Sequence, residues 1–267
     1  MGRIGAHLKR AQFSSQKAGM KEKIDLSNLP QHLAVIMDGN GRWAKRKGAA
    51  RIFGHRNAIK AVREITEGCA ELGVKYLTLY AFSTENWGRP KTEVDGLMQL
   101  LVSTIKGEIK TLMDNKVRLT TIGDTGQLPV SCQAELKEAM QSTQNNDGLT
   151  LVLALNYSGR WEILEAAKKL AQEAKEGKLD PATISSEVFA GHLSTREIPD
   201  PELLIRTSGE MRVSNFLLWQ IAYTELFVTP VLWPDFRKKD LYEAIVSYQG
   251  RERRFGKVVE PSDEQKI

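Results

Sequence analysis

The residues best suited to chemistry stand close together early in the chain, at Asp38-Gly39-Asn40-Gly41-Arg42-Trp43. Two glycines let backbone amides approach an anion closely, and a helix starting there would add its positive amino end. Arg42, Arg51 and His55 follow within a turn or two and can neutralise phosphate oxygens. Asp38 is an anion at the mouth of an anion site. It belongs there if a divalent cation stands between carboxylate and phosphate, and Mg²⁺ suits, since it takes few protein carboxylates plus substrate oxygens. The pattern is neither GxxxxGKS/T nor GxGxxG, so ATP and NAD sites have no direct support. Gly-Asn-Gly alone is a common turn and Trp43 alone a core residue; the density of the set is what points to phosphate.

Such a loop needs a strand to deliver it and helices to flank it. Residues 33–37, 76–82, 117–122, 149–155 and 203–205 read as strands, rich in Val, Ile, Leu, Thr and Tyr. Several are apolar on both faces, as in a sheet covered on two sides. Ile59, Val62, Ile65, Cys69 and Leu72 recur at helical spacing, with Gly73 placed to end the helix. A second helix is expected from Thr92 as N-cap with Asp95 three residues on, carrying Val94, Leu97, Met98, Leu101, Ile105, Ile109, Leu112 and Met113 as its stripe. A third runs over 161–174 and stops near Gly177. Strands alternating with helices predict an α/β fold: a single domain with a mostly parallel central sheet flanked by helices.

Composition narrows the field. The chain has 267 residues, 41% hydrophobic and 27% charged, with a formal net charge of +5. That suits one large domain and favours anionic partners. Cys69 and Cys132 lack metal-site or disulfide spacing, and the scattered His7, His32, His55 and His192 form no HExxH. Residues 1–23 have no apolar core of a signal peptide, and the longest apolar run, 149–155, is interrupted by Thr150, so no membrane span is expected. Residues 1–29 read as a polar, flexible amino-terminal extension, with a basic membrane-surface arm as the alternative. Residues 30–256 read as the folded domain and 257–267 as a polar tail.

Further motifs follow in order: His32-Leu-Ala-Val-Ile-Met-Asp-Gly-Asn-Gly-Arg-Trp43, Arg51-Ile-Phe-Gly-His55, Tyr80-Ala-Phe-Ser-Thr-Glu-Asn-Trp87 with Arg89-Pro90, Asn156-Tyr-Ser-Gly-Arg-Trp161, Arg206-Thr-Ser-Gly-Glu210 with Arg212 to Trp219, and Glu225 with Leu232-Trp-Pro-Asp-Phe236. Together they resemble the cis-prenyltransferase family, in its bacterial undecaprenyl diphosphate synthase branch, over about residues 30–256.

The resemblance implies successive condensation of isopentenyl diphosphate onto an allylic diphosphate, farnesyl diphosphate being the expected starter. Each new double bond is cis, and the expected product is undecaprenyl diphosphate, a lipid-carrier precursor for cell-wall glycan synthesis. It implies that Asp38 binds Mg²⁺ and assists departure of the allylic diphosphate, which Gly39, Asn40, Gly41 and Arg42 cradle with Arg51 and His55. Ser83, Thr84, Glu85 and Asn86 would lie beside the reacting carbons, Asn86 or a water it orients being implicated in proton removal. Trp43, Trp87 and Arg89 would shape the pocket. Arg206, Arg212, Val213 and Ser214 would hold isopentenyl diphosphate, and Glu225 would complete the magnesium site. A hydrophobic tunnel between sheet and helices would take the growing tail. Arg251-Glu-Arg-Arg-Phe-Gly256 matches a segment that lies at a dimer interface in the family, so a homodimer is expected. The expected location is cytoplasmic, peripheral to the inner face of the membrane, with a transient membrane contact for product release.

Ala58 and Ser158 stand where the family often has glycine, which leaves product length and kinetics open. Taken without the resemblance, residues 83–86 read equally as a capping turn and Glu225 as a surface residue or one half of an ion pair. A non-catalytic subunit of the same fold is disfavoured because Asp38, Asn40, Arg42 and Asn86 are all present. A nucleic-acid binder has only the basic balance behind it, and no nucleic-acid partner is expected. A nucleotide phosphotransferase would want a Walker lysine. A trans-type prenyl synthase would want DDxxD, which the chain lacks.

Overall fold

The stretches apolar on both faces come together as one all-parallel sheet in the computed structural model, which describes residues 19–253. The strands are β1 (His32–Ile36), β2 (Tyr76–Ser83), β3 (Arg118–Ile122), β4 (Thr150–Tyr157), β5 (Leu203–Arg206) and β6 (Glu225–Val228), in the order β3-β4-β2-β1-β5-β6. Every residue of the central β1 is buried, which is why its sequence shows no polar face. Side chains alternate across the sheet. Leu33, Val35, Leu77 and Leu79 join the larger core, while Ala34, Ile36, Val152 and Ala154 join a second one with Tyr157 and Phe216.

Helices cover both faces: α1 (Asn40–Arg46), α2 (Arg51–Leu72), α3 (Lys91–Asp114), α4 (Val130–Thr143), α5 (Gly159–Lys175), α6 (Ser186–Ala190) and α7 (Lys238–Gln249). The stop expected at Gly73 is present: this residue sits at φ +89° and its N–H reaches Cys69 and Ala70. The capping expected of Thr92 is not. Helix α3 starts at Lys91 behind Pro90, whose fixed φ of −50° suits the helix entrance. Asp95 instead pairs with Lys91 at 3.0 Å. Cys69 and Cys132 are buried, free thiols. Within the described part of the amino-terminal stretch, Ile24 is buried, and the Gln249 side-chain amide donates to the backbone oxygens of Asp25 and Asn28 at 2.6 and 2.9 Å. No described helix is long and apolar enough to cross a membrane.

The strand order decides where a ligand can sit. From β1 the sheet grows to one side through β2 and to the other through β5. The connections therefore leave in opposite directions and open a crevice at the carboxyl ends of these strands. Asp38 follows β1, Ser83 ends β2 and Arg206 ends β5.

Candidate active site

The loop after β1 is held from both sides. Gly39 adopts φ +108°, and a Cβ there would meet Leu232 at 2.9 Å, so glycine is needed for conformation and for space. The Asp38 N–H donates to Thr207 Oγ1 at 2.9 Å, and that hydroxyl returns a bond to the Asp38 carbonyl at 2.7 Å. The Asp38 carboxylate accepts from Gly39 N–H at 2.6 Å and Arg206 Nη2 at 2.9 Å, with Arg42 Nη2 at 3.4 Å. Burial pushes its pKa up, but the bonds from Arg206 and the Gly39 N–H, with the charge of Arg42, outweigh it and hold the carboxyl below its ordinary range. Asp38 is an anion at neutral pH.

On one side of Asp38 lies a cavity of ≈ 300 Å³, bounded by α2, α3 and strands β2, β3 and β4. Gly39, Asn40, Gly41, Arg51, His55, Asn86 and Arg89 form its polar mouth; Ala58, Val62, Met98, Leu101, Ile105, Leu112, Leu119 and Leu153 line its apolar depth. Arg51 and Arg89 are aimed by one carboxylate, Glu93, at 3.6 and 3.2 Å. Asn40 Nδ2 and His55 Nδ1 stand 3.3 Å apart, while Asn40 Oδ1 and His55 Nε2 are buried without a partner. Burial, with the charge of Arg89, lowers the His55 pKa to about 4, so its ring is neutral. The turn Thr84–Gly88 carries a capping box in which Asn86 Oδ1 accepts from Ser83 N–H at 3.2 Å. The Asn86 carbonyl is thus occupied, and its NH₂ is the group left for the cavity. The capping turn expected of residues 83–86 is present, and the same turn sets Asn86 on the cavity lining.

On the other side of Asp38 is a cluster of guanidinium groups. Arg206, with a side chain only 6% exposed, gives Nη2 to Asp38 and Nη1 to Ser214 Oγ at 2.6 Å and to the Arg212 carbonyl. Glu210 bridges Arg42 and Arg212 at 2.9 and 2.6 Å. Val213 is half-buried against the second core. Trp43 turns away from the cavity, stacking on Phe53 at 5.8 Å and donating Nε1–H to Asp235 at 2.9 Å. Trp87 is 41% exposed and donates to Asn156 Oδ1 at 2.8 Å.

Glu225 is elsewhere. It opens β6 in register with Leu203, and through it with Leu33. Asp38 lies five residues beyond Leu33, about 16 Å at roughly 3.3 Å per residue. The Glu225 carboxylate accepts from Arg251 Nη1 at 2.7 Å. One copy of the chain does not bring Asp38 and Glu225 together, and no cluster of three His, Cys, Asp or Glu suited to a metal occurs among the described residues.

Comparison with known proteins decides the family. Residues 36–256 match the family model described as "Putative undecaprenyl diphosphate synthase". The chain belongs to that prenyltransferase family. An isoprenyl transferase of Heliobacterium mobile is 51% identical over 92% of this chain and 94% of its own. A (2E,6E)-farnesyl-diphosphate-specific ditrans,polycis-undecaprenyl-diphosphate synthase of Pasteurella multocida is 53% identical over 88% of this chain and 98% of its own. Among solved structures, lavandulyl diphosphate synthase of Lavandula x intermedia, in complex with dimethylallyl diphosphate, superposes with a TM-score of 0.83 at 39% identity. That match covers 85% of this chain and 98% of the lavender enzyme.

In this prenyltransferase several residues that support the site are not among the expected site residues, although Asn156 and Asn215 fall within the motifs given above. Glu93 is one, its carboxylate 10% exposed between two arginines. Its place one turn after Pro90, at the start of a helix, is the only hint the sequence carries. Asn215, at φ +61°, is another. It donates Nδ2–H to Glu85 at 2.7 Å, accepts from Arg160 N–H at 2.9 Å through Oδ1, and accepts from Gly159 N–H at 2.7 Å through its carbonyl. It thereby ties the turn after β2, the start of α5 and the segment bearing Ser214 into one frame. Asn156, also at positive φ (+48°), holds Trp87 and donates to the Asp124 carbonyl at 3.0 Å.

Proposed function

We propose that the chain condenses isopentenyl diphosphate onto an allylic diphosphate, farnesyl diphosphate in the first instance, to give a cis-polyprenyl diphosphate of undecaprenyl length. One observation carries this reading: Asp38 stands between two cationic sites at the polar mouth of an apolar cavity. Two diphosphates and one greasy tail are the ligands that such a plan accommodates.

The allylic diphosphate is assigned to the mouth formed by Gly39, Asn40, Gly41, Arg51, His55 and Arg89, with its tail in the cavity. Isopentenyl diphosphate is assigned to Arg206, Arg212, Val213 and Ser214, beside Ser83, Thr84 and Glu85. Arg42 lies at the junction of the two. As the allylic carbon–oxygen bond breaks, negative charge gathers on the departing diphosphate, and fixed guanidinium groups stabilise that state more than the ground state. A neutral amide is a poor base, so Asn86 is assigned to orienting water or the acceptor of the proton. The unpartnered Asn40 Oδ1 and His55 Nε2 are the buried polar atoms that a ligand would satisfy.

Mg²⁺ fits the donor chemistry here, because the Asp38 carboxylate and Asn40 Oδ1 are hard oxygens at one mouth. When bound, the ion would supply charge neutralisation of the departing diphosphate. Glu225 joins that site only if a second copy of the chain provides it. Support for a homodimer comes from the edge strand β6 and the exposed apolar Trp219, Tyr223 and Leu226 around it, 36%, 71% and 46% exposed. The product's tail makes work at the inner face of the membrane the natural setting, with lipid contact aiding release.

The test is direct. The protein is incubated with farnesyl diphosphate, labelled isopentenyl diphosphate and Mg²⁺, and the product is sized. Chain extension abolished by EDTA and by Asp38→Asn is expected. No extension, or extension indifferent to both, would sink the reading.

A further inference from the structure

Residues 39–63 carry eight lysines and arginines and no aspartate or glutamate, in a chain with 38 basic and 33 acidic residues overall. Three of the eight are occupied: Arg42 by Asp38 and Glu210, Arg51 by Glu93, and Arg63 by Glu108. The other five, Lys45, Arg46, Lys47, Arg56 and Lys60, are exposed, and none is paired with a carboxylate among the described residues.

Their arrangement is not that of a scattered solvated face. Phe53, Arg56 and Lys60 fall at i, i+3 and i+7 of α2 and share one stripe. Phe53 is 44% exposed. It stacks on Trp43 of α1, and Lys47 Nζ lies 5.8 Å from the centre of that indole ring. An exposed aromatic pair thus links Lys47, just past the end of α1, to the Arg56 and Lys60 stripe of α2. The opposite stripe of α2, with Ala58 and Val62, lines the apolar cavity.

We propose that α1 and the first half of α2 form a docking face for an anionic lipid bilayer. Phe53 enters the interface and Lys47, Arg56 and Lys60 face the lipid phosphates. Charge complementarity names the partner as anionic. The exposed aromatic at the centre favours a bilayer over small anions in solution, which charge alone would attract. The helix that touches the membrane is then the one whose inner side contacts the tail. This deepens the membrane contact proposed above, and its test is separable because catalysis is read without lipid.

The full-length protein is mixed with vesicles of phosphatidylcholine alone or with phosphatidylglycerol added, at low and high salt, and sedimented. Binding only to the anionic vesicles, weakened by salt, is expected. The triple variant K47Q/R56Q/K60Q should lower the partition coefficient about a hundredfold, at roughly fivefold per cation near an anionic leaflet. Phe53→Ser should lower it on the order of fivefold. Both variants should keep wild-type turnover on farnesyl diphosphate in detergent. If the triple variant unfolds earlier than wild type, R56Q/K60Q alone serves, with about a 25-fold loss expected. Equal binding to neutral and anionic vesicles overturns the proposal, as does wild-type vesicle binding by the charge variants. It is overturned too if the protein ignores both lipids while the charge variants lose kcat/KM only at low salt; the face would then steer substrates. Preference for single-stranded RNA over the vesicles is a fourth refuting result.

Discussion

Asn215→Asp is the sharpest perturbation of the candidate site. It leaves the backbone unchanged, including the φ of +61° that Asn and Asp both tolerate. It also leaves an oxygen to accept from Arg160 N–H. Only the donor to Glu85 is replaced, by a second carboxylate at the 2.7 Å contact. Losing a hydrogen bond to a charged group is worth about 1.5–3 kcal/mol. Repulsion adds about 1.5 kcal/mol if water screens the pair and several times that if it does not. Glu85 is exposed, so the screened figure applies and the carboxylates can part. At an exposed pair the bond counts at the low end of its range, so the frame around Ser214 should lose roughly 3 kcal/mol, a fall in kcat/KM for isopentenyl diphosphate of about 150-fold. The KM for the allylic partner, assigned to the far side of Asp38, should move little. Adding Glu85→Gln places a donor opposite the introduced carboxylate, and the double variant should recover to near the level of Glu85→Gln alone. Steady-state kinetics with each substrate varied, alongside thermal unfolding, decide the matter. Unchanged kinetics in the single variant, or a double variant no better than it, would show that Asn215 does not position this site.

Arg206→Met removes the bond that most depresses the Asp38 pKa while burial persists. The acid limb of the kcat profile should then move to higher pH; a limb that stays in place contradicts the coupling. His32, like His55, is lowered to about 4 by burial, from an ordinary value of 6.5. The unfolded chain therefore binds more protons, and stability should fall as pH drops from 6.5 towards 4, by about 2 kcal/mol per histidine at pH 5. Urea midpoints that are flat between pH 7 and pH 5 would be the contrary result. Gly54→Ala places a methyl 2.1 Å from the Asn40 carbonyl oxygen, where backbone cannot yield. It should destabilise by roughly 1–3 kcal/mol and loosen the cavity mouth around Asn40. Gly107→Ala, with nothing within 4 Å, should stabilise by about 0.5–1 kcal/mol; calorimetry compares the two directly.

Much of the fold is legible in the sequence because burial on both faces leaves an unmistakable mark. Residues 33–37, 76–82 and 149–155 are apolar nearly throughout, and they form the three central strands. Strand β6 carries no such mark, because it has four residues, starts with a charge and sits at an edge where half-exposed side chains break the pattern. Helices α4 and α7 are hidden because their composition is mixed and neither has Ser, Thr, Asp or Asn at its N-cap; α7 is capped instead from N3, where the Asp240 carboxylate accepts from Arg237 N–H at 2.8 Å. At the site, the chemistry-bearing residues advertise themselves by type. The residues that aim them do not. Glu93 and Asn215 act through partners 4 to 130 positions away in the chain, and only the folded arrangement makes those pairs neighbours. The wide separation of Asp38 and Glu225 is equally invisible, since parallel register and not sequence distance sets it.

Asn40 Oδ1 and His55 Nε2, buried and unpartnered at the cavity mouth, carry an evolutionary implication. Each unmet polar atom weakens the fold by about 1–3 kcal/mol until something fills its bonding capacity. Replacing either by a snug hydrocarbon would harden the protein against heat and remove a group open to a ligand at the mouth, His55 Nε2 or Asn40 Oδ1. A library of variants ranked by thermal survival alone would therefore drift towards sturdy, inactive molecules. On the proposed assignment, selection in the presence of Mg²⁺ and a diphosphate would reverse that ranking, because a bound ligand adds stability to the folded state alone.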